Sequence, residues 1–136
     1  MEKIYSRVDP NTLCHMVNRL EEITDRTDVA PTTEFLQLAT LRMPLGKTFR
    51  PHQHIWKPHL TDQTIAQESW VVIKGRVRCH FYDTDGSLLA EREIGPGDCS
   101  MTFQGGHTYT ILEDDTVVYE YKTGPYTGQA TDKVFL

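Results

Sequence analysis

From residue 35 onward the sequence is built of short apolar runs separated by turn signals, and this cadence limits the fold more than any other feature. Runs of strand composition occupy 35–43, 48–56, 70–74, 77–82, 88–94, 101–103, 108–112 and 117–121. Between them stand Asp83-Thr84-Asp85-Gly86, Gly95-Pro96-Gly97-Asp98, Gly105-Gly106 and Glu113-Asp114-Asp115. Such residues suit tight turns because they tolerate positive φ, fix φ near its turn value, or bond their own backbone. Many short strands at this spacing predict an all-β sandwich or barrel. Side chains alternate across a strand, so Val77, Cys79 and Phe81 share one face and Arg78 and His80 take the other. His80 therefore reads as an outward residue and Cys79 as a core thiol. The same alternation sets Tyr109 and Ile111 on the face of His107.

The first 33 residues read differently. Asp9 suits a helix N-cap and Pro10 the first helical position, after which Leu13, Met16, Val17, Leu20 and Ile23 recur at helical spacing. The expectation is one short amphipathic helix, packed on the main domain or on a second subunit, with His15 in a structural role. Residues 25–33, broken at Pro31, read as a linker. The chain then divides into an N-terminal helix and linker over 1–33 and a β-barrel over 34–136, a single structural domain overall. The tail over 124–136 is expected to wrap the outside.

A chain of 136 residues can bury a core without disulfides or a structural metal. Its net charge of -5 and the absence of a basic run disfavour nucleic acid as a partner. No apolar segment approaches the roughly 18 residues of a membrane helix, and the first residues lack the apolar stretch of a signal peptide, so a cytoplasmic protein is expected. Cys14, Cys79 and Cys99 are odd in number and far apart, which favours reduced thiols over a disulfide framework.

The chemistry gathers between Gly46 and Gly75. His52 and His54, separated only by Gln53, point the same way from an extended strand and can share one ion. Glu68 on the next strand can return a carboxylate oxygen to that point, and His107 arrives from later in the chain. Three imidazoles and one carboxylate make a mixed N/O site, suited to a single divalent transition ion (Fe, Mn, Ni, Co or Zn) rather than Ca or Mg. Arg50 alternates with His52 and His54, so a regular strand carries it into the barrel beside the metal. There it either pairs with a carboxylate such as Glu93 or Glu120, or clamps an anionic ligand with help from Lys57. Tyr109 is the further candidate for contact with the bound molecule. Trp56 and Trp70 read as core or pocket wall, and Tyr82 and Tyr126 as packing.

Gly46, five residues, His52-Gln53-His54, then Glu68, six residues and Gly75 resembles the first cupin motif, and Gly97-Asp98 followed by Phe103, Gly105 and His107 resembles the second. Arg50-Pro51-His52, the run from Glu120 through Thr123-Gly124-Pro125 to Tyr126, and Asp132-Lys133 look more like the WbuC family of cupin-fold metalloproteins, found with bacterial surface-polysaccharide biosynthesis genes. The resemblance spans about residues 46–133. It implies a cupin-type jelly-roll β-barrel with metal ligands His52, His54, Glu68 and His107. Two features depart from the pattern. Thirteen residues, 55–67, separate His54 from Glu68 where the family has only a few, and this insertion offers His59, Asp62 and Gln67 as rival ligands. Phe103 replaces the usual proline, His107 comes one residue early, and Ile111 stands at the usual asparagine.

Three function classes follow. The first is a metal-binding cupin acting on or binding a small molecule, an acidic sugar or sugar nucleotide, in bacterial carbohydrate or surface-polysaccharide biosynthesis. In its isomerase- or epimerase-like form the ion is a Lewis acid and Glu68 moves protons as the catalytic group. The second is an Fe(II)-dependent oxygenase on the same ligands. The third is a non-enzymatic, metal-dependent sensor or binding module. Jelly rolls leave sheet edges, so a homodimer is expected.

Overall fold

The computed structural model describes residues 1–24, 26–40, 42, 45, 47, 65–123 and 134. Among these the chain forms ten strands: β1 Glu2–Tyr5, β2 Leu13–Asn18, β3 Thr27–Asp28, β4 Ala39–Thr40, β5 Glu68–Lys74, β6 Val77–Tyr82, β7 Leu88–Ile94, β8 Cys99–Thr102, β9 Gly106–Ile111 and β10 Val117–Lys122. Five of them make one antiparallel sheet in the order β1-β2-β8-β5-β10, three make another in the order β7-β6-β9, and β3 pairs with β4. The all-β reading holds.

Alternation explains how the layers meet. Val77, Cys79 and Phe81 of β6 are fully buried and join Ile4, Cys14, Val17 and Val72 of the five-stranded sheet, with Leu89 and Ile94 of β7, in one core. Arg78 and His80 point the other way. The His80 ring is held by Glu91 at 2.6 Å and Thr110 at 2.9 Å on the outer face, as its position in the run predicts. A second cluster lies on the far face of the five-stranded sheet, where Met16, Met101 and Phe103 pack against Val29, Ala30, Leu36 and Leu38. The polar stretch before residue 35 is therefore part of a strap across that face, closed by Val29 N–H to Leu38 C=O at 2.8 Å. Of the run expected over 35–43, only Ala39–Thr40 is strand among the described residues, and the run over 48–56 lies outside them.

The N-terminal helix is corrected. Leu13–Asn18 is a strand between β1 and β8, and the only helical turn among the described residues is the three-residue 3-10 turn Leu20–Glu22. Both signals behind the expectation have another cause. Asp9 and Pro10 belong to the turn joining β1 to β2, where Asp9 accepts Asn11 N–H at 3.1 Å and the Thr12 hydroxyl at 2.7 Å. Asp-Pro at the start of a turn uses the same preset φ and side-chain acceptor as a helix start. β2 is covered on both faces, Cys14 through Asn18 being buried, and a strand covered on both faces shows no two-residue alternation. His15 is structural, but in the centre of a sheet. Residues 1–33 are therefore not an appendage, since β1 and β2 complete the sheet that carries Glu68.

Cys14, Cys79 and Cys99 are free and buried, and burial pushes the Cys79 thiol up to about 12 and the Cys99 thiol up to about 11. At neutral pH they are protonated packing groups rather than nucleophiles.

Candidate metal and ligand site

The site grows from one register row. In the five-stranded sheet His15 of β2 is paired with Thr102 of β8, Thr102 with Glu68 of β5, and Glu68 with Lys122 of β10. Paired residues project to the same face, and this one looks toward the three-stranded sheet. There His107, second residue of β9, is paired with Phe81 of β6. Its Nε2 donates to Glu68 Oε1 at 3.1 Å, joining positions 39 residues apart. The two side chains are 23% and 11% exposed, so the pair is largely but not wholly buried.

His107 Nδ1 is buried and has no hydrogen-bond partner among the described residues. Unpaired buried polar atoms are uncommon because each forfeits its hydration, so one on an imidazole bonded to a carboxylate points toward a functional role. Two donors at right angles on an ion with bonds near 2.1 Å lie about 3.0 Å apart. The 3.1 Å between His107 Nε2 and Glu68 Oε1 is that of a hydrogen bond, and the same spacing suits neighbouring ligands of one ion only once Nε2 has given up its proton.

The wall is aromatic. Tyr109 stacks on Trp70 with centroids 3.9 Å apart and planes 8° inclined, and it sits 5.6 Å from His107 in a tilted arrangement. The Tyr109 hydroxyl bonds Ser100 Oγ at 3.1 Å, and burial raises its pKa above the ordinary phenol value. Tyr109 is thus placed as a fixed surface beside the pair, with its hydroxyl held by β8. Trp70 Nε1–H donates to Glu120 at 3.2 Å, while Glu93 is taken by Arg78 at 2.7 Å and Arg76 at 3.6 Å. Both carboxylates considered for Arg50 have other partners.

Of the residues singled out in the sequence, Glu68, His107 and Tyr109 are brought together. His52, His54, Arg50, Lys57, His59 and Asp62 lie outside the described residues, and among the described residues no group of three or more His, Cys, Asp or Glu is placed to hold a metal. Gln67 is occupied elsewhere. Its Oε1 accepts Leu36 N–H at 2.8 Å and its Nε2 donates to Glu34 at 2.6 Å, on the strap side of β5.

His15 was missed as a neighbour of the site. It is fully buried, its Nε2–H donates to Tyr82 C=O at 3.0 Å, and its Nδ1 faces the Thr102 hydroxyl at 3.2 Å. Desolvation lowers its pKa to about 4, so at neutral pH it is an uncharged spacer behind Glu68 and His107. No sequence signal marked it, because its strand read as a helix.

Comparison with protein-family models, with curated proteins and with solved structures gives no match. Among the described residues no helix is long and apolar enough to cross a membrane.

Proposed function

We propose that this chain is a cupin-type jelly-roll protein that holds one divalent transition ion at Glu68 and His107, with His52 and His54 completing the ligand set, and binds an acidic sugar or sugar nucleotide beside it. The observation that carries this reading is the pairing of Glu68 Oε1 with His107 Nε2 at 3.1 Å, with the second imidazole nitrogen buried and without a partner among the described residues. When bound, the ion supplies Lewis acidity toward a sugar carbonyl or hydroxyl oxygen. In this reading Glu68 is the group that takes or returns a proton. The Trp70–Tyr109 stack offers a flat apolar wall of the kind sugar rings rest on. Arg50 and Lys57 take the anionic group of the ligand in this reading. The reaction class is isomerisation or epimerisation, within surface-polysaccharide biosynthesis, by a homodimer.

Elemental analysis of protein purified without a chelating tag tests the ion. About one transition ion per chain is expected in the parent, falling sharply in Glu68→Ala and His107→Ala because an incomplete coordination sphere binds poorly. Equal metal in all three overturns the site. Fe(II)-dependent oxygen uptake by the loaded protein would replace isomerisation with the oxygenase reading.

A further inference from the structure

The strap covers only part of the far face of the five-stranded sheet. It packs on Met16 of β2 and Met101 of β8, while on β10 Val117, Tyr119 and Tyr121 are 45%, 57% and 54% exposed. Alternation along β10 sets these three side chains on one face, since Val118 between them packs against the core on the other. The two tyrosine rings meet edge to face with centroids 6.4 Å apart, so the patch is one surface rather than scattered residues.

β10 is also the edge of that sheet, and no strand among the described residues lies beyond it. Backbone groups alternate from side to side along a strand, and here the alternation can be phased. Val72 N–H bonds Asp98 C=O at 3.1 Å and Val72 C=O accepts Gly97 N–H at 2.8 Å, on the β8 side of β5. Val71 and Ser69 therefore bond toward β10, where their register partners are Tyr119 and Tyr121, and Thr123 N–H to Gln67 C=O at 3.0 Å continues the pattern. The N–H and C=O groups of Val118 and Glu120 are left pointing outward, a template for one more antiparallel strand.

We propose that β10 pairs antiparallel with β10 of a second copy about a two-fold axis at Tyr119, joining the two five-stranded sheets into one. Charge selects the second copy. Asp114 and Asp115 precede β10 and Lys122 closes it, so two antiparallel copies set each acidic end beside a basic one. Charge also selects the register. An axis at Glu120 would oppose that carboxylate to its own copy, whereas the axis at Tyr119 pairs Val118 with the partner's Glu120, stands Tyr119 against the partner's Tyr119 and lays Val117 on the partner's Tyr121. The three side chains hide roughly 300 Å² per chain, against about 800 Å² in a standard interface, so the dimer is of micromolar strength. This pairing rests on the proposed function only for the homodimer, to which it assigns a surface, and needs none of the metal ligands.

Sedimentation of the full chain and disulfide trapping test the pairing. The parent should show a concentration-dependent dimer, weakened about tenfold or more by Tyr119→Lys, which sets two ammonium groups directly across the axis. Under mild oxidation Tyr119→Cys should cross-link, since opposed Cβ atoms in such a pair lie about 4.5 to 5.5 Å apart, and the native thiols are buried. Tyr121→Cys, at a position equally exposed, should not, because its copy lies about 13 Å away along the ladder. A monomer at every concentration, or equal cross-linking of the two cysteine variants, overturns the pairing while metal content remains the separate test of Glu68 and His107. A dimer that Tyr119→Lys leaves intact places the interface elsewhere and overturns it as well.

Discussion

The imidazole of His15 lies on the ring of Phe81, centroids 4.7 Å apart and planes 27° inclined, so that a titratable group from β2 forms part of the contact between the two sheets. Its surroundings accept only the neutral ring. Nε2–H donates to a carbonyl and Nδ1 faces a hydroxyl, and among the described residues no carboxylate contacts either nitrogen to balance a second proton. The folded pKa of about 4 lies below the ordinary value of 6.5, so the unfolded chain binds the proton first. Stability from this group is complete above pH 6.5 and is lost as pH falls toward 4. Between pH 7.5 and pH 5 the loss is roughly 2 kcal/mol. Urea titrations of parent and His15→Gln in chelator-treated protein check it, and the variant should lack most of that slope.

Asp83 links the N-terminal segment to the β6–β7 hairpin in the opposite pH sense. Its carboxylate accepts the Ser6 hydroxyl at 2.6 Å, Arg7 N–H at 2.6 Å and Thr84 N–H at 2.7 Å, and these bonds, Ser6 foremost, hold its pKa down to about 2. A depressed carboxyl pKa stabilises the fold above the unfolded value of 3.8, and that stabilisation disappears as pH drops toward 2. Asp83→Asn should lower the melting temperature at pH 7, and the gap between the two proteins should narrow at pH 2.5. A gap that stays constant would show that the charge contributes nothing.

These contacts show which parts of the fold could be read from sequence and which could not. The β6–β7 hairpin was legible to its ends, because Val77, Cys79 and Phe81 alternate with outward residues and Asp83 to Gly86 is unambiguous turn chemistry. β2 was not, because burial on both faces removes alternation and Asp9-Pro10 serves a turn as well as a helix start. Glu68 and His107 were legible as a pair through the motif resemblance, and they meet at 3.1 Å. His15 and Thr102, which stand behind them, carry no motif. Their place depends on the β2–β8 register, a long-range pairing that local pattern does not encode.

Gly105 positions His107 through its backbone. Its φ is +76°, and a Cβ there would run into the carbonyl oxygen of Tyr82 and lie against the His15 ring. Only glycine meets both demands without strain. Gly105→Ala is expected to cost about 2 kcal/mol or more, through the left-handed conformation and the displaced β6 carbonyl together. Denaturant midpoints check the cost. A loss under about 0.5 kcal/mol would mean that the turn relaxes freely.

The Trp70–Tyr109 stack separates packing from hydrogen bonding. Tyr109→Phe keeps the ring and loses only the bond to Ser100, a change of about 1 kcal/mol. Tyr109→Ala also removes a ring stacked at 3.9 Å and should cost roughly 3 to 5 kcal/mol. Equal losses in the two variants would assign the residue's contribution to its hydroxyl rather than to the wall it forms.

Gln67 and Glu68 are consecutive, and alternation gives them different work. Glu68 faces the His107 side of β5, while Gln67 holds the strap through Leu36 N–H and Glu34. Removing the Gln67 amide leaves the Leu36 N–H without its acceptor, a loss of about 1 to 3 kcal/mol. That loss falls on the strap rather than on the sheet, whose ladders do not depend on the amide. Gln67→Ala should therefore speed hydrogen exchange at Val29 and Ala30, whose N–H groups bond the Leu38 carbonyl to close the strap, and leave exchange in β6 and β8 unchanged. It should also leave metal content at the parent level, where Glu68→Ala lowers it. Metal lost from Gln67→Ala but retained in Glu68→Ala would transfer the ligand role to the neighbour and remove the pairing at His107 as the basis of the site.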